Sequence, residues 1–93
     1  LQQLLAGYFN QDWADEHPNA DDVILSFISE SSNETFKDAQ QELKKLLLIK
    51  KTEQELQDFL FIEIGCGYYY PHEWESGTEW LEHIASLLAQ RTT

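Results

Sequence analysis

Apolar residues recur at helical spacing along most of the chain, and short polar stretches interrupt the pattern. The spacing i, i+3, i+4, i+7 is typical of helices with one buried face. Five groups follow it: Leu1, Leu4, Leu5, Tyr8, Phe9 and Trp13; Val23, Ile24, Phe27 and Ile28; Phe36, Ala39, Leu43, Leu46 and Leu47; Leu56, Phe59, Leu60 and Ile64; and Trp80, Leu81, Ile84, Leu87 and Leu88. The sequence therefore predicts one all-α domain over residues 1–93, a small bundle of about five helices.

Capping signals place the starts of four of these helices. Asn19 is a good N-cap, and capping boxes begin at Ser31, Thr52 and Ser76. The first helix is predicted to start at or before Leu1 and to end near Glu16, with polar residues 10–12 interrupting its apolar face between Phe9 and Trp13. The run from 59 to 64 favours β structure, but we predict helix because nothing nearby offers a partner strand.

The segment from Gly65 to Pro71 separates the last two predicted helices. Its glycines can adopt positive φ and its proline cannot continue a helix, so we predict a turn that carries Tyr68, Tyr69 and Tyr70. At least one of these tyrosines is expected to be buried. The predicted core consists of Leu4, Phe9, Trp13, Phe27, Leu43, Leu47, Leu60, Trp80 and Ile84.

The chain is strongly acidic, with 17 Asp and Glu, 6 Lys and Arg and a formal net charge of −11. Five lysines fall between positions 37 and 51, whereas residues 1–34 contain none. This charge disfavours binding to nucleic acid or an anionic membrane and favours a basic partner. The alternative interpretation is that the acidic residues only keep a small domain soluble.

Two further features bear on where the protein works. The longest strongly apolar run, residues 46–49, is too short to span a bilayer. A single cysteine suits a reducing compartment such as a cytoplasm. Because the sequence contains no methionine, we expect further residues to precede Leu1.

Catalytic and metal-binding patterns are weak. Cys66 and His72 lie six residues apart without an orienting partner at a known spacing, so a buried structural cysteine is the preferred interpretation. His17, His72 and His83 follow no metal-ligand spacing, and the Gly65-x-Gly67 pair lacks the rest of a dinucleotide loop. We predict no enzyme activity, metal or cofactor.

Acidic and aromatic side chains together indicate a protein-recognition surface. Aromatic anchors supply buried area, and carboxylates suit a basic partner. Trp74 is either such an anchor or a side chain folded over its own loop. The candidate binding residues are Asp12, Asp15, Glu16, Tyr69, Tyr70, His72, Glu73, Trp74 and Glu75.

Two motifs make the chain similar to a known family. Tyr8-Phe9-Asn10-Gln11-Asp12-Trp13, and Gly65-Cys66-Gly67-Tyr68-Tyr69 with downstream Ser76, Trp80 and Leu81, resemble the CdiI-type immunity proteins of bacterial contact-dependent growth inhibition systems. The chain departs from the family pattern at Asn10, where a histidine is usual, and at residues 70–72. Trp13 and Trp80 are expected to join the first and last helices.

The resemblance implies a bacterial cytoplasmic protein that binds the C-terminal toxin domain of a CdiA-type effector. That domain is commonly a nuclease, and 1:1 binding would occlude its active or substrate site. Protection requires tight binding: a dissociation constant of 1 nM corresponds to about −12.3 kcal/mol. The alternative function is an acidic adaptor or regulatory module that binds another basic protein.

Overall fold

A computed structural model describes residues 1–10 and 12–90, and every regular element in these ranges is helical. Helices α1 to α5 span Trp13–Glu16, Ala20–Glu30, Asn33–Ile49, Glu53–Asp58 and Gly77–Ala89. Two π-helices span Gln3–Tyr8 and Phe59–Ile64, and a 3₁₀ turn spans Tyr70–His72. The all-α prediction is confirmed. None of the helices in the described ranges is long and apolar enough to cross a membrane.

Three of the four predicted N-cap residues are confirmed. The side chains of Asn19, Thr52 and Ser76 each accept a hydrogen bond from the backbone N–H three residues later. Thr52 also completes the reciprocal bond of the capping box, since its own N–H donates to Glu55 Oε1 at 2.9 Å. The sequence signal for each of these starts therefore lies within four residues.

The predicted start of α3 was wrong by one residue. Ser32, and not Ser31, is the N-cap, because Ser32 Oγ accepts the N–H of Thr35 at 3.2 Å. Two consecutive serines offer the same cap chemistry, so the sequence does not distinguish them.

The predicted continuous first helix was also wrong. The first π-helix ends at Tyr8, and Phe9 has the non-helical angles φ −88° and ψ 54°. Asn10 then forms a turn: its Nδ2 donates to the Gly7 carbonyl at 3.0 Å, and its Oδ1 accepts the N–H of Asp12 at 2.9 Å. The short asparagine side chain competes with the helix for backbone groups, so α1 forms as a separate turn.

A single hydrophobic cluster lies between the helices. Seven of the nine predicted core residues are buried, and their exposed fractions are all 1 % or less: Leu4, Phe9, Phe27, Leu43, Leu60, Trp80 and Ile84. Trp13 and Leu47 are half-buried and pack against the edge of the cluster. Trp80 is central, since its ring lies 5.6 Å from Phe9 and 5.8 Å from Tyr70 between centroids.

Gly67 joins the two sequence motifs. Its N–H donates to the Phe9 carbonyl at 2.7 Å, and its own carbonyl accepts the indole N–H of Trp13 at 3.3 Å. A Cβ at position 67 would lie 2.6 Å from the carbonyl oxygens of both Phe9 and Asn10. The close approach of two backbone segments therefore requires glycine here.

Glu53 connects three elements that are distant in sequence. Its carboxylate, in the first turn of α4, accepts hydrogen bonds from the hydroxyl of Tyr70 and from the N–H of Gly77, the latter at 2.9 Å. Partial burial opposes ionisation, but these bonds and one from Gln57 together hold the pKa of Glu53 below its ordinary value. One ionised side chain thus fixes the 3₁₀ turn and the start of α5.

Substitution of Gly67 by alanine should destabilise the fold. Both atoms that the new Cβ meets belong to the backbone, so the chain must shift, and we expect a loss of about 1–3 kcal/mol in urea unfolding. Gly7→Ala is the matched control: its Cβ would meet only Gln3 Cγ, at 3.8 Å, and should leave stability unchanged or raise it by up to about 1 kcal/mol. Equal stability of the two variants would contradict the contact.

Glu53→Ala should lower stability by about 1–3 kcal/mol at pH 7, because it removes the acceptor of the buried Tyr70 hydroxyl. The folded-state pKa is depressed, so the ionised contribution is complete above the ordinary value of 4.5 and is lost as pH falls through the folded-state value. The difference between wild type and variant in unfolding free energy should therefore shrink from pH 6 to pH 3. Glu34→Ala, in the first turn of α3, is the control. A difference independent of pH would refute the role of ionisation.

Candidate functional site

Three predicted binding residues lie at the short helix α1. Asp12 precedes the helix, Asp15 and Glu16 lie within it, and all three are exposed. Trp13 anchors this turn through its hydrogen bond to Gly67 and an edge contact with Tyr68 at 5.5 Å between ring centroids. The carboxylates are therefore held on a fixed turn beside the Gly65–Tyr70 segment.

The three consecutive tyrosines alternate in their environment. Tyr68 is 4 % exposed, Tyr69 is 53 % exposed and Tyr70 is fully buried. This two-residue alternation is what an extended backbone produces, because successive side chains point to opposite faces. Only the middle tyrosine lies on the surface, where its ring stacks on Phe61 at 5.4 Å.

The assignment of Tyr70 to the binding surface was wrong. Its ring stacks between Phe61 and Trp80, and its hydroxyl donates to Glu53. Burial, together with the Glu53 carboxylate, raises the pKa of Tyr70. Tyr70 is a core residue because Glu53, from α4, satisfies its polar atom inside the fold.

The remaining loop candidates are accessible to different degrees. His72, Glu73 and Glu75 are exposed, and the His72 ring lies against Tyr69 at 4.8 Å. Trp74 is half-buried and folds back, with its ring 5.0 Å from that of His83 on α5. Part of the indole is therefore committed to the fold, and the rest lies at the surface beside Glu73.

A cleft of about 360 Å³ lies between this loop, the start of α2 and the middle of α5. The residues that line it are Asn19, Ala20, Asp21, Tyr68, Glu73, Trp74 and His83. Asp21 and His83 form a hydrogen bond in one wall, with 2.9 Å between Oδ1 and Nε2. Of the lining residues, only Glu73 and Trp74 were among the predicted binding residues.

The hydroxyl of Tyr68 has an unusual environment in this cleft. It is buried, and no described residue lies at hydrogen-bond distance from it, although the side chains of Glu73 and Trp74 are beside it. Burial raises the pKa of Tyr68 to about 12, and the nearby carboxylates of Glu73 and Asp21 act in the same direction. A buried hydroxyl without a partner is uncommon in proteins and requires an explanation.

The predicted structural role of Cys66 agrees with its environment. The thiol is buried, its sulfur lies 3.7 Å from the Tyr68 carbonyl, and burial raises its pKa to about 11. Such a thiol is a poor nucleophile at neutral pH. Among the described residues no three His, Cys, Asp or Glu side chains converge as metal ligands, and His17 pairs with Asp22 at 2.7 Å.

Comparisons with known proteins agree with this architecture. Residues 1–88 match the family model described as CdiI immunity protein. A chain in the crystal structure of a CdiA-CT/CdiI complex from Y. kristensenii is 36 % identical, with a TM-score of 0.90. The match covers 95 % of the present chain and 89 % of that chain. No curated protein matches the sequence.

Cys66 should be nearly inert in the folded protein. At pH 8 we expect its reaction with Ellman's reagent to be about 100-fold slower, or more, than in 6 M guanidinium chloride, because little thiolate forms when the pKa is near 11. Absorbance at 412 nm follows the reaction, with free cysteine as the rate standard. Equal rates in the folded and unfolded protein would show that the thiol is accessible.

Proposed function

This chain belongs to the CdiI immunity protein family, and on that premise we propose that it binds the C-terminal toxin domain of a cognate CdiA-type effector in a 1:1 complex. It is an immunity protein and not an enzyme. The finer proposal is that the toxin domain is a nuclease and that binding occludes its active or substrate site. The match over residues 1–88 carries the proposal.

The charge distribution supports a nuclease as partner. The exposed carboxylates of Asp12, Asp15 and Glu16 lie at the start of α1 and within it. Those of Glu73 and Glu75 lie on the loop that follows the tyrosines. A nuclease must present a basic surface to phosphate groups, and a carboxylate-rich surface can occupy it in place of the nucleic acid. All five lysines, by contrast, lie between residues 37 and 51, on α3 and the joint after it.

Aromatic side chains beside these carboxylates supply the apolar part of an interface. Tyr69 is half-exposed, and its ring stacks on that of Phe61. Trp74 is partly exposed and follows Glu73 in the loop. Tyrosine and tryptophan frequently dominate binding energy where they are rigidly held. The proposed surface therefore combines fixed aromatic anchors with carboxylates on both sides of the Gly67 joint.

Calorimetric titration against the toxin domain encoded immediately upstream tests the function, with a nuclease assay on the same mixture. We expect 1:1 binding with a nanomolar dissociation constant, about −12.3 kcal/mol or tighter, and loss of nuclease activity. Absence of binding between two folded proteins would overturn the proposal. Binding without loss of activity would retain the partner and exclude occlusion.

The Asp15→Lys plus Glu73→Lys double variant tests the location of the surface. Reversal of two charges should weaken toxin binding by 100-fold or more, on the order of 3 kcal/mol, while the helical circular dichroism stays the same. Asp38→Lys plus Glu63→Lys, at exposed positions elsewhere, makes the same change in net charge. Equal weakening by both double variants would show that overall charge, and not this surface, determines affinity.

A further inference from the structure

We propose that the cleft between α2, α5 and the 68–75 loop is an anchor site for one arginine side chain of the toxin domain. The inference rests on the proposed function and names the chemistry of one contact within it. The residues that would receive the guanidinium are Asp21, Tyr68, Glu73 and Trp74, which line the cleft together with Asn19 and His83.

The walls of the cleft suit a cation. Asp21 at the start of α2 and Glu73 in the loop bring two carboxylates to one cavity of about 360 Å³, and none of the described residues that line it is a lysine or arginine. Asp21 contacts His83 through Oδ1 only, as far as the described residues show. Glu73 is exposed and lies on a loop, so its side chain can turn towards an incoming charge.

The Tyr68 hydroxyl provides the independent observation. Tyr68 is 96 % buried, and no described residue lies at hydrogen-bond distance from its hydroxyl. The Glu73 carboxylate and the Trp74 indole, both in the cleft, are the polar groups beside it. The ring is fixed, since it packs on Trp80 at 4.9 Å and on Phe9 at 5.5 Å between centroids. The hydroxyl oxygen can accept a hydrogen bond, and because it is covered in the free protein, a ligand reaches it when the exposed Glu73 side chain turns aside.

Arginine fits this set of groups better than lysine does. Its planar guanidinium carries five N–H donors, pairs with carboxylates through two parallel bonds and stacks on aromatic rings. The cleft offers two carboxylates, one hydroxyl acceptor and the partly exposed Trp74 ring. A lysine ammonium can contact the indole only as a point charge, and it can neither stack flat on the ring nor pair with a carboxylate through two parallel bonds.

Tyr68→Phe separates this role from a structural one. The variant removes only a hydroxyl that is unsatisfied in the free protein, so the melting temperature should stay the same or rise. Toxin affinity should fall by about tenfold or more, because a hydrogen bond to a charged group is lost. Tyr8→Phe is the matched control: Tyr8 donates to the exposed Glu30 at 3.0 Å, outside the cleft, and its loss should leave toxin affinity unchanged.

A second experiment needs no toxin. Nuclear magnetic resonance titration with N-acetyl-arginine amide should shift the indole signal of Trp74, whereas the neutral analogue N-acetyl-citrulline amide should not. The shift should weaken in Tyr68→Phe and in Glu73→Gln, and persist in Glu63→Gln. N-acetyl-lysine amide at the same concentration should produce a smaller shift.

The outcomes distinguish the cleft from the function. If the toxin domain does not bind the wild type, the proposed function fails. The titration with N-acetyl-arginine amide then determines by itself whether the cleft binds an arginine side chain. If the toxin binds and Tyr68→Phe binds as tightly as Tyr8→Phe, the hydroxyl contacts no toxin residue and the anchor is overturned. Equal shifts with the arginine and citrulline probes, or stronger shifts with lysine, would also overturn it.

Discussion

The backbone contact between Gly67 and Phe9 determines how the two motif segments, around residues 8–13 and 65–69, meet. It places the carbonyl oxygens of Phe9 and Asn10 against a position where no side chain fits. Through the Gly67 carbonyl it also holds Trp13, and with it the short helix α1. Four residues alone do not make a stable helix in water, so α1 depends on this tertiary anchor. The carboxylates of α1 keep their position relative to the loop for the same reason.

The second constraint is the ionised Glu53, which receives the Tyr70 hydroxyl and the Gly77 N–H. Gly77 is held close, since a Cβ there would lie 2.5 Å from Leu56 Cδ2. Because Tyr70 points inward, its neighbours in the extended segment are constrained: Tyr69 faces the solvent, and Tyr68 faces the core on the same side as Tyr70, where both rings contact Trp80. The position of the unsatisfied Tyr68 hydroxyl thus follows from an interaction formed at Tyr70.

Helix positions could be predicted because their signals are local. Asn19, Thr52 and Ser76 act on the backbone three residues away, and the glycine at 65, with φ +83°, ends the second π-helix as expected. The break after Tyr8 was missed because Asn10 can either interrupt an apolar face or cap a turn.

The binding surface was less predictable, because its composition depends on tertiary contacts. Nothing local distinguishes the buried Tyr70 from the exposed Tyr69, and the acceptor that draws Tyr70 inward is 17 residues away. Asp21 lies in the first turn of α2, where the helix dipole favours an acid, so its presence in the sequence does not indicate a binding site. Its approach to His83, 62 residues later, appears only in the folded chain.

The Gly67 joint has a consequence for how such proteins diversify. Most described residues of the two motifs form contacts within the fold. A match to these motifs therefore identifies the fold and carries little information about the partner. The exposed side chains at 12, 15, 16, 69, 73 and 75 make no contribution to the Gly67 joint. Substitution at these exposed positions can change which toxin is bound with little loss of folding stability. A descendant protein can therefore bind a new toxin while it keeps the same fold.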